Sequence, residues 1–237
     1  MPSSLDMLLR DLVTASHILA NEGIVDSFGH VSVRNPQNTG RFFLSRVRAP
    51  ALVTKDDILE FDLECRPVVA TDVRLFAERV IHAAVYRVRS DVMAVCHHHA
   101  PAVMPFCVTG VPLVPVFHLG ATMGVTVPFW DSQSEFGDTN MLVATEAQGR
   151  SMARALGQGW TVLLRRHGAT TAGRSLRELV FRTIYGARNA DIQARAMQIG
   201  ALGQLTPGEA RAAEEFNLTP IALDRAWEHW CLGVSAR

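Results

Sequence analysis

Apolar positions change their spacing several times along the chain, and each change marks an element. Leu5, Leu8, Leu9, Leu12, Val13 and Leu19 recur at helical intervals, with Gly23 suited to end that helix. Val31 and Val33 alternate with polar neighbours as in a strand. Residues 35–40, Asn-Pro-Gln-Asn-Thr-Gly, read as a hairpin loop, and residues 41–45 return as its second strand. Thr54 with Lys55, Asp56 and Asp57 forms a short capped turn, and Ile58, Phe61 and Leu63 predict a further strand. Over residues 72–89, Val73, Phe76, Val80, Ile81, Ala84, Val85 and Val88 keep a helical period. Residues 92–96 are an unbroken apolar run of the kind that forms a buried strand, and three histidines stand at its end. A short helix is expected next, then strands around residues 114–117 and 125–129. Residues 145–156 read as a helix closed by Gly157, and residues 161–164 as a strand running into Arg165-Arg166-His167-Gly168. Ser175-Leu176-Arg177-Glu178 and Thr206-Pro207-Gly208-Glu209 have the form of capping boxes, the first opening a long helix to about Ile199.

Helices and strands mix without a strict βαβ rhythm, and no linker, repeat or low-complexity segment interrupts them. The expected architecture is one α/β unit over residues 1–237, a sheet covered by helices on both faces. Charged residues make up 19% of the chain, against about 25% in typical domains, and hydrophobic residues 48%. So little charge is a weak indication of buried subunit interfaces. Lys plus Arg and Asp plus Glu are balanced at 23 each, with no basic run, which argues against nucleic acid and against an anionic membrane surface. No apolar stretch reaches the roughly 18 residues of a membrane span. Residues 1–10 carry Asp6 and an amphipathic pattern, unlike a signal peptide. Cys65, Cys96, Cys107 and Cys231 are scattered without a CxxC pair, as expected of reduced thiols in a cytoplasmic protein.

Candidate chemistry begins at the histidines. His97 and His99 stand two apart at a strand end, so both side chains leave one face of the sheet, roughly 6–7 Å apart at the backbone. That span lets two imidazoles converge on one cation, while His98 points away. His167, at another strand end and followed by Gly168, is the natural third ligand. Three neutral imidazoles would leave positions open for a substrate, the mark of a catalytic metal site. Glu78 is expected mid-helix, sharing one face with His82 and Tyr86, where a carboxylate beside a metal can act as general acid or base.

Taken together, Glu78-x-x-x-His82-x-x-x-Tyr86, His97-x-His99, His167-Gly168 and Ser27-x-Gly29-x-x-Ser32 stand in the order and spacing of a known family. The chain resembles the class II aldolase/adducin family, typified by L-fuculose-phosphate aldolase, over roughly residues 5–200. The resemblance implies a three-layer α/β/α fold with a mainly antiparallel central sheet. It implies His97, His99 and His167 as ligands of a divalent metal, Mn2+ or Zn2+, Glu78 as the catalytic carboxylate, and a homotetramer with sites at subunit interfaces.

The departures from the sugar-phosphate aldolases are as informative. Gly29-His30 stands in place of Gly-Asn, and Phe76 and Ala77 stand where two serines cradle phosphate. Leu119 replaces an aldolase-type tyrosine after His118. Apolar Phe76 and Ala77 cannot donate hydrogen bonds to a phosphate. In place of a phosphate turn the chain has Ser45-Arg46-Val47-Arg48, and guanidinium forks pair bidentately with carboxylates. This variant pattern, with Phe117-His118, is similar to the family's decarboxylases. It implies a hydroxylated aromatic dicarboxylate as substrate, with 3-hydroxy-2-methylpyridine-4,5-dicarboxylate the leading candidate. Ser45, Arg46, Arg48 and His118 would bind it, and Glu78 or His30 would return a proton to the ring. The alternatives are an aldolase acting on a non-phosphorylated hydroxy-keto acid, an iron-dependent oxidative decarboxylase that consumes O2, and a non-enzymatic adducin-like module.

Overall fold

A computed structural model describes residues 4–234. Its elements, in chain order, are α1 (Ser4–Asn21), β1 (His30–Arg34), β2 (Arg41–Ser45), β3 (Ile58–Asp62), α2 (Arg79–Val88), β4 (Ala94–His98), α3 (Met104–Thr109), β5 (Phe129–Trp130), α4 (Ser132–Phe136), α5 (Glu146–Leu156), β6 (Thr161–Leu164), β7 (Gly168–Gly173), α6 (Leu176–Ile199), α7 (Pro207–Asn217) and α8 (Pro220–Leu232). The amphipathic start of the chain lies in α1 from Ser4 onward, and residues 1–3 fall outside the described residues. No described helix is long and apolar enough to cross a membrane.

Side-chain alternation along the strands explains the layering. Phe42, Leu44, Val95, Val162 and Leu164 face one apolar cluster, shared with Ile81, Val85, Met152 and Leu156 of α2 and α5. Their immediate neighbours Phe43, Ala94, Cys96 and Leu163 face the other, shared with α1, α3, α6 and α8. Each strand thus feeds two cores, which makes three layers with the sheet in the middle. The strand order is β3-β2-β1-β4-β7-β6-β5. Every neighbouring pair is antiparallel except β5 with β6. The expected α/β/α architecture with a mainly antiparallel sheet is borne out.

Several local expectations are corrected. The helix read over residues 72–89 begins only at Arg79, and Glu78 is its N-cap, with φ −82° and ψ 11°. Residues 72–77 instead run alongside the arginine turn, the Val47 amide donating to the Arg74 carbonyl. No strand forms at residues 114–117. That stretch follows Pro112, contains Pro115 and bonds to side chains of α6: the Val114 and Val116 amides donate to Gln193 and Asn189, whose own amides return bonds to Pro112 and Val114. Of the strand expected at residues 125–129, only Phe129 pairs, as the start of β5. Ser175 caps α6 by accepting the Glu178 amide, but the Glu178 carboxylate completes no box. It turns to fully buried Arg182, which also holds Glu214 and stacks on Trp160 at 4.1 Å. The box at Thr206 forms as expected.

Candidate metal centre

Register brings the candidate ligands together. β1 and β4 pair with His30 opposite His97, and β4 and β7 with His97 opposite Thr170. The odd-numbered side chains of β4 face α2, so His97 leaves the sheet toward the helix that Glu78 caps, and His99 follows from just past the strand end. His98 faces the opposite layer, as expected, and is buried there. His167 comes from the tight β6–β7 turn, where Arg166 takes a left-handed φ of 55° and donates its amide to the Cys107 carbonyl. Gly168 is required next, because a Cβ there would collide with the His98 carbonyl oxygen. Gly29 plays a similar part before His30: its φ is +94°, and a Cβ would sit 2.7 Å from Val25.

Around this end of the sheet, His97, His99 and His167 place one ligand nitrogen each within 4.8 Å of one another. Nε2 of His97 is 3.2 Å from Nε2 of His99, close to the ~3.3 Å spacing of two nitrogens bound 2.0–2.1 Å from one tetrahedral ion. The Glu78 carboxyl spans the gap, 3.6 Å from His97 Nε2 through one oxygen and 3.6 Å from His167 Nε2 through the other. Two facing imidazole lone pairs repel unless a proton or a cation lies between them. The donor set fits a divalent ion: three imidazoles from two strand ends converge on one point. Ligation through Nε2 leaves the ring proton on Nδ1. At His97 that nitrogen faces Thr170 Oγ1 at 3.4 Å, and at His167 it is buried with no hydrogen-bond partner among the described residues.

Burial sets the electrostatics. Desolvation pushes the Glu78 carboxyl up to about 7, although the Val143 amide donates to Oε1 at 3.0 Å and opposes the shift. Burial pulls His30 down to about 3, with help from His99 and His167, and pulls His98 down to about 3. His167 falls to about 4 for the same reason, with His99 assisting. The result is a cluster of neutral imidazoles beside a carboxyl poised to be protonated near neutrality.

These shifts predict a steep acid instability in protein stripped of metal. Above pH 6.5, the ordinary histidine value, folded and unfolded chains both hold these rings neutral. As pH falls from 6.5 toward 4 the unfolded chain takes up protons that the folded chain refuses, so unfolding is favoured. Each such ring adds a slope of about 1.4 kcal/mol per pH unit. Thermal unfolding of metal-free protein should therefore show Tm dropping through that window, and a Tm flat from pH 7 to pH 4.5 would contradict the burial described here.

The remaining sequence candidates occupy other positions. Arg46 and Arg48 both reach Asp57, at 2.6 Å and 3.1 Å, and keep side-chain exposures of 36% that leave N–H groups open to solvent. Ser45, at the end of β2, is buried. Extending the β1–β2 register puts position 46 across from His30, so the arginine turn lies at the same end of the sheet as the histidines. His118 is exposed, its carbonyl accepting from Asn217. Among the described residues, no hydrogen bond, ion pair or ring contact joins His118, Arg46 or Arg48 to the histidine cluster. Phe76, which the sequence places at the substrate site, packs on the His30 ring at 4.6 Å, and Thr170 and Val143 join the site without a sequence signal. Thr170 and Val143 become visible only once strand register and the 137–144 loop are known.

Comparison with known proteins agrees with this geometry. Decarboxylase tropJ of Talaromyces stipitatus is 31% identical over 254 residues, covering 97% of this chain and 94% of the relative. The 3,4-dihydroxyphthalate decarboxylase of Arthrobacter keyseri is 27% identical, covering 95% of this chain and 93% of its own. In three dimensions, the L-fuculose 1-phosphate aldolase from Glaciozyma antarctica PI12 superposes with a TM-score of 0.79 at 23% identity, over 97% of this chain and 89% of that one. The family described as Class II Aldolase and Adducin N-terminal domain matches residues 10–194, and with the histidine cluster and the sheet that carries it, this places the chain in that family.

Proposed function

We propose that the protein is a carbon–carbon lyase, a metal-dependent decarboxylase of a hydroxylated aromatic carboxylate. The observation that carries this reading is the convergence of His97, His99 and His167 on one point beside a Glu78 carboxyl that burial pushes up to about 7. A divalent ion held by the three imidazoles would supply a Lewis acid for negative charge developing on a substrate oxygen. Glu78 delivers the proton. When the ring–carboxylate bond breaks, CO2 departs, the electron pair stays on the ring carbon, and the Glu78 O–H proton closes the new C–H bond. Water then reprotonates Glu78. Phe76, packed on the His30 ring at 4.6 Å, gives the site an apolar wall, and Arg46 and Arg48 hold a second carboxylate by charge-assisted hydrogen bonds.

Relatives named as decarboxylases support this over aldol cleavage, one of them acting on a benzene dicarboxylate. Apolar Phe76 and Ala77, in place of phosphate-binding hydroxyls, support it independently. The test is elemental analysis of the purified protein followed by CO2 detection over a panel that includes 3,4-dihydroxyphthalate and 3-hydroxy-2-methylpyridine-4,5-dicarboxylate. Pyruvate or an aldehyde among the products would favour the aldolase alternative, and O2 consumption the oxidative one. For a dicarboxylate substrate, Arg46→Met should raise KM roughly tenfold with kcat little changed, the signature of lost uniform binding. An unchanged KM would remove Arg46 from the substrate site.

A further inference from the structure

Behind the ligand set runs a buried line of polar groups that the reaction above does not use. The Tyr86 hydroxyl lies 2.7 Å from Ser32 Oγ, and that oxygen lies 2.7 Å from His82 Nδ1. His82 Nε2 lies 2.6 Å from His30 Nδ1. All four side chains are buried, with relative exposures of 2%, 0%, 0% and 4% from Tyr86 to His30. Parity makes the line: Ser32 and His30 leave β1 on the α2 side, and His82 and Tyr86 are one helical turn apart on α2. Phe42, nearly parallel to the His82 ring, and Phe76, against His30, wall it with carbon.

Each contact in this line can hold one proton, so head to tail the line has two polarities, and the mixed case, with Ser32 accepting from both Tyr86 and His82, leaves the Ser32 O–H without an acceptor among the described residues. In the first, Tyr86 donates to Ser32, Ser32 to His82 Nδ1, and His82 Nε2–H to His30 Nδ1. His30 then carries its own proton on Nε2, the nitrogen turned away from His82. In the second every link reverses, His30 shows a bare Nε2 lone pair, and the Tyr86 O–H must find another acceptor. Among the described residues its only side-chain hydrogen-bond partner is Ser32. Its other polar neighbours are the Val95 backbone, which favours the phenolate, and the Arg34 guanidinium, 4.7 Å from the ring centre. Both bring positive charge, and neither accepts a proton. A buried O–H left without an acceptor loses its bond to water and gains nothing in return, so the second polarity is disfavoured.

We infer that Ser32 and His82 are positioning residues that lock His30 as its Nε2–H tautomer, so that His30 meets the substrate as a hydrogen-bond donor to oxygen. The two groups that could have returned the proton to the ring are thereby separated. Giving up Nε2–H from a neutral ring would leave an imidazolate, so His30 orients a carboxylate or hydroxyl oxygen while Glu78 supplies the proton. The identity of that oxygen rests on the decarboxylase reading; the tautomer does not.

The experiment is ring-nitrogen NMR on full-length, metal-free protein labelled with 15N-histidine, with assignments from His30 and His82 variants. Both rings are expected as Nε2–H tautomers, and Nδ1–H at His30 would overturn the inference whatever the substrate proves to be. Ser32→Ala removes the hydroxyl that donates to His82 Nδ1. It should abolish the single-tautomer signature of His82 and His30 and lower kcat roughly tenfold with the metal retained. Ser32→Thr, which keeps a hydroxyl, should restore both. Tyr86→Phe leaves the Ser32 O–H with His82 Nδ1 as its only acceptor among the described residues and should keep the Nε2–H spectra. Wild-type spectra in Ser32→Ala would likewise overturn the proposal. If no panel substrate yields CO2, the decarboxylase reading fails, while the spectra still decide the tautomer.

Discussion

Removing the metal by dialysis against a chelator is expected to abolish CO2 release, and adding back Mn2+ or Zn2+ to restore it. Three neutral imidazoles aimed at one point leave no other electrophile among the groups that line it. Without a cation, the charge left behind by departing CO2 would rest on an unassisted ring. Loss of a Lewis acid that stabilises developing charge by several kcal/mol lowers the rate by orders of magnitude. His99→Ala should have the same effect and is the preferred variant, because His99 is only partly buried whereas His97 is fully enclosed. The readouts are bound metal per chain and CO2 released per minute. Full turnover by chelated protein carrying less than one-tenth of its metal would end the case for a metal-dependent lyase.

Glu78→Gln is expected to lower kcat by roughly 10²–10⁴-fold while leaving the metal in place. Glutamine keeps an oxygen to accept the Val143 amide, so the loop stays anchored, but it has no acidic proton to deliver. The pH dependence follows from the same group. With the carboxyl pushed up to about 7, its active acid form is present below that pH and lost as pH rises through it. Wild-type kcat/KM should therefore fall on the alkaline limb, with the midpoint drawn lower by a bound cation, and Glu78→Gln should lack that limb. A Glu78→Gln protein with full turnover would transfer the proton-delivery role elsewhere.

Much of this site was legible from residue types and spacing. His97 and His99 stand two apart at the end of an apolar run, and period-two alternation is enough to put them on one face. Glu78 stands out in the sequence, but on the wrong local structure: it is the N-cap of α2 and not a mid-helix residue. The apolar spacing over residues 72–89 is helical, yet the chain before Arg79 is held by the Arg74 carbonyl and by Arg79 itself, which donates to the Phe76 carbonyl. Strand β7 had no counterpart in the pattern. Gly-Ala-Thr-Thr-Ala-Gly carries little apolar signal, and its small side chains reflect close neighbours that only the fold supplies. Residues 114–117 show the reverse error. Their valines look strand-like, but Asn189 and Gln193 of α6 satisfy the backbone in place of a neighbouring strand. His82 and Ser32 could be named from the sequence, but the line they form depends on a β1–α2 contact about 50 residues apart in the chain.

The split loyalty of β4, whose successive side chains serve opposite layers, constrains how such an enzyme can change over evolutionary time. A single residue gained or lost between positions 92 and 96 would rotate the histidine triplet by half a pleat. His98 would then turn toward Glu78, while its two flanking rings would be driven into the aliphatic layer under α6. Length changes in this strand are thus tolerable only in pairs. Length changes in the arginine turn or the 137–144 loop would leave the parity of the sheet untouched.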